Sequence, residues 1–297
     1  SRFVLMNVTE KVDMQPDMLT AADKWILTRF QDAARQISGN MEEGEFGLAA
    51  NRIYDFAWSE FCDWYIELAK SRLLGEDGES KTAAKAVLLY VLEGLLKLLH
   101  PFMPFLTEQV YKYLPGAEGF LMLKPWPIAK EEYDFQADEA KMEGIMEVIR
   151  TIRNLRAEMN VAPSKRTRLM LVAGEGWTET LQGADIYFRR LAGASESEVI
   201  ADRNSITEKT VSAVTATGEL FIPLGDLVDF EKEIARLNKE HDNLIKEIAR
   251  AEGKLNNAGF VSKAPAALVQ QEKDKLAANQ VKAEALEKRI AELKEML

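Results

Sequence analysis

Apolar residues recur every three or four positions through most of the chain, a spacing that predicts amphipathic helices. Four such helices are expected between residues 17 and 114. The first is predicted to begin at Thr20, which has Asp23 three residues later as a helix N-cap often does, and Ser80 is predicted to cap the third. Pro101 ends the third helix, because the residue before a proline disfavours helical backbone. Short loops between the four indicate an antiparallel helical bundle.

The pattern changes after a fifth predicted helix, which runs from about residue 138 to 159. Short apolar runs at 169–172, 211–217 and 220–222 predict strands, and a helix is predicted over 177–191 between them. These elements indicate a small α/β module.

The last part of the chain has the heptad spacing of a coiled coil. Apolar side chains alternate four and three residues apart over 230–255 and again over 269–297, which places them on one seam of each helix. The short connection favours an antiparallel hairpin, and a single register then joins opposite charges along its flanks. The predicted pairs are Glu247–Lys275, Glu240–Lys282 and Glu233–Arg289.

The expected fold is therefore mainly α. It consists of a helical bundle with a small α/β module and a C-terminal antiparallel coiled-coil hairpin. The predicted domains are residues 1–160 for the bundle, 161–226 for the α/β module and 227–297 for the coiled-coil arm.

Composition excludes several classes of protein. One Cys and two His in 297 residues cannot form an intrachain disulfide, or a four-ligand zinc site without carboxylates. No apolar run approaches the length of a membrane span, so we expect no membrane attachment. A reduced, cytoplasmic protein is the default expectation, and we also expect a monomer. The formal net charge of −10, taken alone, argues against a nucleic-acid binder.

The charge is distributed unevenly along the chain, so its total does not exclude a nucleic-acid binder. Residues 150–168 hold six cationic residues and one Glu, a net charge of +5, within an otherwise acidic region. Such a cluster attracts phosphate groups whatever the total charge, although a solvated helix face followed by a basic loop explains it equally well. The six cationic residues are Arg150, Arg153, Arg156, Lys165, Arg166 and Arg168.

Six of the twelve residues from 54 to 65 are aromatic. Six rings cannot share one narrow stripe of a helix, so this helix must make contacts on more than one side. A position at the centre of the bundle explains most of them, and stacking on unpaired bases is the alternative for one or two. The candidates for stacking are Trp58 and Phe61, with Arg52 as a cationic candidate on the same helix.

A second cationic stripe is predicted on the outer face of the first coiled-coil helix, away from its partner helix. It suits contact with a phosphate backbone, and an ordinary solvated surface is the alternative. Its members are Lys232, Arg236, Lys239, Lys246 and Arg250.

No catalytic motif is found in the sequence. The phosphate-binding loop Gly-x-x-x-x-Gly-Lys and the pattern Gly-x-Gly-x-x-Gly are both missing. Cys62 lies among aromatic residues and is predicted to be a buried apolar side chain. His241 falls on the coiled-coil seam, where it is predicted to lie beside Asn279 and to fix the register. We therefore expect neither a catalytic site nor a metal site.

The chain resembles the C-terminal part of bacterial valyl-tRNA synthetases over essentially its whole length. Three early segments are similar to the anticodon-binding bundle shared by class I synthetases, and the later ones to the valine enzymes in particular. The matching segments are TAADKWIL (20–27), FCDWYIE (61–67), HPFMPF (100–105), IRNLRAEMN (152–160), APSK (162–165) and FVSKAP (260–265).

The resemblance implies that the bundle holds the anticodon loop of tRNA(Val) and that the arm lies against the outer corner of the tRNA. The candidate residues above would then contact tRNA, the arginines through phosphates and Trp58 or Phe61 through bases. The catalytic and editing domains of that family have no counterpart in this sequence, so the chain is expected to be inactive alone. The ATP and Mg²⁺ of the reaction belong to the catalytic domain, which is the other expected partner.

An interaction adapter without any role in RNA binding is the alternative. In that case the coiled-coil arm would bind a partner helix, and its seam or flanks would be poorly complemented within the chain. The matched charges of the predicted hairpin count against this alternative.

Overall fold

A computed structural model of the chain describes residues 1–75, 78–227, 230–257 and 265–294. The described chain forms two compact units. The first comprises Ser1–Leu155, Arg168–Ile206 and Ser212–Phe221, and the second comprises Arg156–Thr167, Thr207–Val211 and Ile222–Leu297. Within the described residues, no helix is both long and apolar enough to cross a membrane.

Helices dominate the chain up to residue 158, as the apolar periodicity predicts. In chain order they are α1 (Arg2–Asn7), α2 (Ala21–Glu42), α3 (Phe46–Asp55), a π-helical segment (Phe56–Tyr65), α4 (Ile66–Leu73), α5 (Glu79–Leu99), α6 (Pro104–Tyr111) and α7 (Gln136–Glu158). Helix α3, the π-helical segment and α4 thus form one continuous helical run. Between α6 and α7 the chain is irregular apart from two short 3₁₀ turns, Leu121–Leu123 and Glu131–Tyr133.

The cap predicted at the start of α2 is confirmed. The Thr20 hydroxyl accepts a hydrogen bond from the backbone N–H of Asp23, and the Asp23 carboxylate accepts one from the backbone N–H of Thr20 at 2.9 Å. The cap predicted at Ser80 is wrong, because α5 already begins at Glu79. Ser80 instead accepts a 2.8 Å hydrogen bond from Nε of Arg72 through its hydroxyl.

The core of the bundle lies between α2, the π-helical segment and α5. Phe30 of α2 is buried, with Phe56 and Tyr90 on either side at ring-centroid distances of 5.7 Å each. Gly94 of α5 faces the same ring so closely that an added Cβ would lie 2.2 Å from Cζ of Phe30. A glycine is therefore required where these two helices meet.

Gly94→Ala is expected to lower the free energy of unfolding by about 1–3 kcal/mol, because the methyl group overpacks a filled core. Gly39→Ala is the matched control, since it also adds a methyl group within a helix but meets nothing within 4 Å. Removing glycine there should raise stability by up to about 1 kcal/mol. Urea denaturation of both variants tests this, and equal stabilities would contradict the packing at Gly94.

A four-stranded sheet follows α7, with the strand order β2-β1-β4-β3. Its elements are β1 (Thr167–Ala173), α8 (Thr178–Gln182), α9 (Asp185–Tyr187), a second π-helical segment (Phe188–Ala192), β2 (Ala194–Ile200), β3 (Thr210–Thr215) and β4 (Gly218–Pro223). The predicted strands are confirmed, and the sequence pattern missed β2. The helix predicted over 177–191 is broken into three short pieces.

Two residues next to the strands, Trp177 and Thr217, pack closely against α7 at Gly144. An added Cβ there would lie 2.4 Å from the ring of Trp177 and 2.7 Å from the methyl group of Thr217. Strands β1 and β4 pair in antiparallel register, with Leu171 opposite Leu220. Most of the sheet therefore lies in the same compact unit as the bundle. The division into three domains stays a prediction.

The arm consists of a short helix, α10 (Leu224–Leu227), followed by α11 (Phe230–Leu255) and α12 (Ala266–Lys294), which pack along each other. The predicted heptad seam is confirmed. Every described seam side chain is buried or half-buried, and the most buried are Ile234, Leu237, Ala251, Asn279, Ala283 and Ile290.

Candidate nucleic-acid interface

Two of the predicted arginines lie together on the surface of α7. The guanidinium carbon of Arg150 lies 4.9 Å from the ring centroid of Trp64, and that of Arg153 lies 5.5 Å from the same centroid. Trp64 is itself buried, with 9% of its surface exposed. Nε of Arg153 donates a 2.7 Å hydrogen bond to the backbone carbonyl of Leu191. Both guanidinium groups are therefore held in place while both residues stay exposed.

The electrostatic surroundings leave this pair positively charged. Partial burial lowers the pKa of Arg153, the nearby Glu67 and Asp63 raise it, and the like charge of Arg150 lowers it. An arginine remains protonated despite such a shift. Two neighbouring cations fixed on one aromatic ring form a site that suits a phosphate or another small anion.

Arg190 belongs to the same region and was missed by the sequence analysis. It is exposed and directly precedes Leu191, whose carbonyl binds Arg153. The pattern gave no sign of it, because Arg190 lies 37 residues after Arg153 and is brought close only by the packing of the second π-helical segment. The exposed side chain of Arg190 is therefore a further cationic candidate in the same unit.

The expectation that Arg156 contacts phosphates is corrected by its burial. Only 8% of its surface is exposed. Its guanidinium donates to the backbone carbonyls of Lys165 at 2.7 Å and Ala162 at 3.4 Å, and to the hydroxyl of Thr167 at 3.3 Å. These three bonds tie down the loop after α7, in which Asn160 adopts a left-handed backbone conformation with φ of 52°. Arg156 is therefore a structural residue.

The other three residues of the predicted strip are divided between the two compact units. Arg168 belongs to the first unit and is exposed on β1. Lys165 and Arg166 belong to the second unit, where Arg166 is exposed and Lys165 half-buried. They stay candidate contacts, each within its own unit.

The two aromatic candidates have opposite environments. Trp58 exposes 57% of its surface, so it stays a candidate for stacking on a base. Phe61 exposes only 1% and packs against Tyr65 with 6.2 Å between ring centroids, so the prediction for Phe61 is wrong. Tyr54, one turn before Trp58, exposes 63% and is a further aromatic candidate that the sequence did not single out.

The guanidinium of Arg52 is bound by neighbouring side chains of the bundle. It donates to Glu60 at 2.8 Å and to Gln36 at 2.9 Å, and its guanidinium lies 5.9 Å from the ring of Phe56. Glu60 also accepts two hydrogen bonds from Arg29. The geometry therefore assigns Arg52 to an ion-pair network of the bundle and corrects its place among the nucleic-acid contacts.

The outer stripe of α11 is exposed where the structure describes it. Arg236, Lys239, Lys246 and Arg250 are all exposed, and Arg236 also forms a 3.3 Å ion pair with Glu240. The side chain of Lys232 lies outside the described residues, as does the predicted tip motif apart from Pro265. The stripe can contact an extended chain of phosphates.

The flanks of the hairpin confirm one predicted pair. Lys275 and Glu247 are 3.6 Å apart. Glu240 pairs with Arg236 of its own helix in place of Lys282, and the side chains of Glu233 and Arg289 lie outside the described residues.

That His241 lies beside Asn279 stays a prediction, and each of the two bonds to a carboxylate of the opposite helix. Nε2 of His241 lies 3.1 Å from Glu287, and Asn279 donates to Glu247 at 3.2 Å, so the two residues bond across the seam to different partners. The polar seam residues still meet carboxylates of the opposite helix.

No catalytic chemistry emerges from the described part of the chain. Burial raises the pKa of the Cys62 thiol, which disfavours the thiolate that a nucleophile requires. Within the ranges described, no group of three or more His, Cys, Asp or Glu side chains is placed to hold a metal ion. The arrangement is suited to binding.

Comparison with known proteins gives two family matches that follow each other along the chain. Residues 23–171 match the family described as the anticodon-binding domain of tRNA ligase, and residues 229–294 match the family described as the valyl tRNA synthetase tRNA binding arm. The cationic pair on Trp64 falls in the first match and the stripe of α11 in the second.

Similar proteins of known name cover nearly the whole chain. The valine--tRNA ligase of Clostridium acetobutylicum is 43% identical over 297 residues, which are 99% of this chain and 34% of that protein. The valine--tRNA ligases of Carboxydothermus hydrogenoformans and Bacillus subtilis are 41% and 37% identical, again over 99% of this chain and 33% and 34% of their own lengths. The chain spans about a third of the length of these relatives.

Proposed function

This chain belongs to the anticodon-binding domain family of tRNA ligases, and on that premise we propose that it is the tRNA-binding portion of a valine--tRNA ligase. The observation that carries the proposal is the presence, in one chain, of both matched families with an exposed cationic site in each. The ligand is tRNA(Val). The interaction adapter considered above is not favoured, because the seam of the arm is filled from within the chain.

The bundle binds the anticodon arm by the chemistry of its exposed groups. Arg150 and Arg153 bind backbone phosphates, with Arg190 beside them, and Arg168 is a further cation of this unit. Trp58 stacks on an unpaired base. Phosphate contacts orient the tRNA, and contacts to bases distinguish one tRNA from another.

The arm binds a second region of the tRNA, its outer corner. The stripe of α11 follows the backbone through charge alone, without reading bases. Lys165 and Arg166 add cationic charge within the same compact unit. Two separated contacts on one rigid ligand fix its orientation better than one.

The rest of the ligase supplies the chemistry. Activation of valine with ATP and Mg²⁺, transfer to the tRNA and editing all belong to the catalytic and editing domains of the same polypeptide. The residues described here bind and position the tRNA. We place the protein in the cytoplasm, as a monomer.

Footprinting of tRNA(Val) tests the two contacts separately. The chain should protect phosphates of the anticodon arm and of the outer corner from cleavage. Lys239→Glu with Lys246→Glu reverses two exposed charges of the stripe, so protection of the outer corner should fall while that of the anticodon arm remains.

The matched control reverses two exposed charges of α12 instead. Lys273→Glu with Lys288→Glu changes the net charge by the same amount on the other helix of the arm. It should leave both protections in place. Loss of protection in the control alone, or no protection of tRNA(Val) by the unaltered chain, would contradict the proposal.

A further inference from the structure

Large apolar side chains are exposed in unusual density along one segment of the bundle, residues 103–128. The described chain has nineteen exposed large hydrophobic side chains, and eight of them lie in these twenty-six residues. They are Met103, Phe105, Leu106, Tyr113, Phe120, Met122, Leu123 and Ile128. Phe105 is 91% exposed and Leu123 is 74% exposed. Concentrated apolar exposure of this kind marks an interaction surface.

The exposed side chains sit on a fixed backbone. Helix α6 and the 3₁₀ turn Leu121–Leu123 are in contact, and the carboxylate of Glu108 accepts the backbone N–H of Leu121 at 3.0 and 3.2 Å through its two oxygens. Thr107 is buried at the base of α6 and lies 2.7 Å from Nδ1 of His100. The backbone that carries the exposed side chains of α6 and of the turn Leu121–Leu123 is therefore held by contacts within the chain.

The charge of this segment does not suit RNA. Residues 103–128 contain two Lys and two Glu, so their net charge is zero, and charged residues are much rarer there than the 29% of the whole chain. RNA binding depends on cationic groups that neutralise phosphates. Few charges and many apolar side chains characterise the centre of a protein–protein interface.

We propose that this surface, the α6 face, docks the part of the ligase polypeptide that lies outside this chain. The inference rests on the proposed function. The relatives are about three times as long as the matched region, so about two thirds of their length must be joined to a module of this kind. A permanent contact within one polypeptide explains why so many apolar groups stay exposed on the module by itself, since obligate interfaces are the more hydrophobic ones.

Methionine oxidation tests the docking directly, because Met103 and Met122 lie on the α6 face and are 46% and 69% exposed. Hydrogen peroxide should oxidise both rapidly in the 297-residue chain, since oxidation follows exposure. In the full-length ligase, the oxidation rate of Met122 should be several-fold lower. Met142, fully buried, is the control and should react slowly in both proteins.

A substitution adds a second test. Phe105→Ser removes an exposed apolar group, so the melting temperature of the 297-residue chain should not change. In the full-length ligase the same substitution should raise the oxidation rate of Met122 toward that of the 297-residue chain.

Three results would overturn the docking. One is equal oxidation of Met122 in the chain and in the full-length ligase. Another is protection of Met122 in the 297-residue chain that increases with the concentration of that chain, because a second copy of the chain then covers the α6 face. The third is protection that requires added tRNA. The proposed function fails by a different measurement. If the full-length ligase does not attach valine to tRNA(Val), that function is wrong, whatever the oxidation rate of Met122.

Discussion

Arg72→Met is expected to lower the free energy of unfolding by about 3–5 kcal/mol, because it leaves a buried carboxylate without its cation. Asp23 is completely buried, and Nη1 of Arg72 lies 2.7 Å from both of its oxygens. The hydroxyl of Tyr65 donates to the same carboxylate at 2.6 Å. Burial, and then the charge of Asp23, raise the pKa of Tyr65, which keeps this hydroxyl protonated as the donor.

Two further variants show whether the loss of stability comes from the unpaired buried charge or from losing any arginine. Arg35 forms an ion pair with Asp32 on the surface of α2 with 55% of its side chain exposed, so Arg35→Met should change stability by at most about 1 kcal/mol. Asp23→Asn combined with Arg72→Met should recover part of the loss, because neither charge is then left alone. Urea denaturation measures all three, and equal effects of Arg72→Met and Arg35→Met would contradict this account of the cluster.

Arg150→Gln with Arg153→Gln is expected to have the largest effect on tRNA binding. Each phosphate contact contributes about 0.7–0.9 to the slope of log K against log salt, so losing two contacts should make the slope shallower by about 1.5. Affinity should fall most at low salt, where the counterion effect is strongest. Titrations of tRNA(Val) at several salt concentrations measure both quantities.

The control for that variant removes two cations elsewhere in the same unit. Arg35→Gln with Lys141→Gln lowers the net charge equally, and both residues are exposed. Its salt slope should match that of the unaltered chain. If both double variants shift the slope equally, the bundle binds RNA through its overall charge, and the site on Trp64 has no special role.

The helices and the seam could be predicted because they depend on local patterns in the sequence. The spacing of the apolar residues both identifies a helix and marks the face that it buries. The capping box at Thr20 and Asp23 is a four-residue motif and could be identified without any tertiary information. The cap at Ser80 failed because the helix begins one residue earlier, at Glu79, and the Ser80 hydroxyl accepts from Arg72 of the preceding helix. Strand β2 was missed because only two of its seven side chains, Ala194 and Val199, are aliphatic before the final isoleucine.

The candidate site was predicted in part, for a related reason. A run of cationic residues indicates an anion site, but it does not distinguish exposed arginines from one whose donors are taken by backbone carbonyls. Arg153 and Arg156 are one helical turn apart, yet the first is exposed beside Trp64 and the second is bound by the loop that follows α7. Arg190 precedes the residue whose carbonyl binds Arg153, and only folding brings these two parts of the chain together, so no spacing in the sequence could identify it.

A competition titration of the 297-residue chain with tRNA(Val) and a non-cognate tRNA, at two salt concentrations, distinguishes specific tRNA binding from a general attraction to RNA. If bases of the anticodon are read, tRNA(Val) should bind more tightly at both concentrations, and both tRNAs should bind more weakly as salt rises. Equal affinity for the two tRNAs, or binding that does not respond to salt, would contradict the proposed tRNA binding.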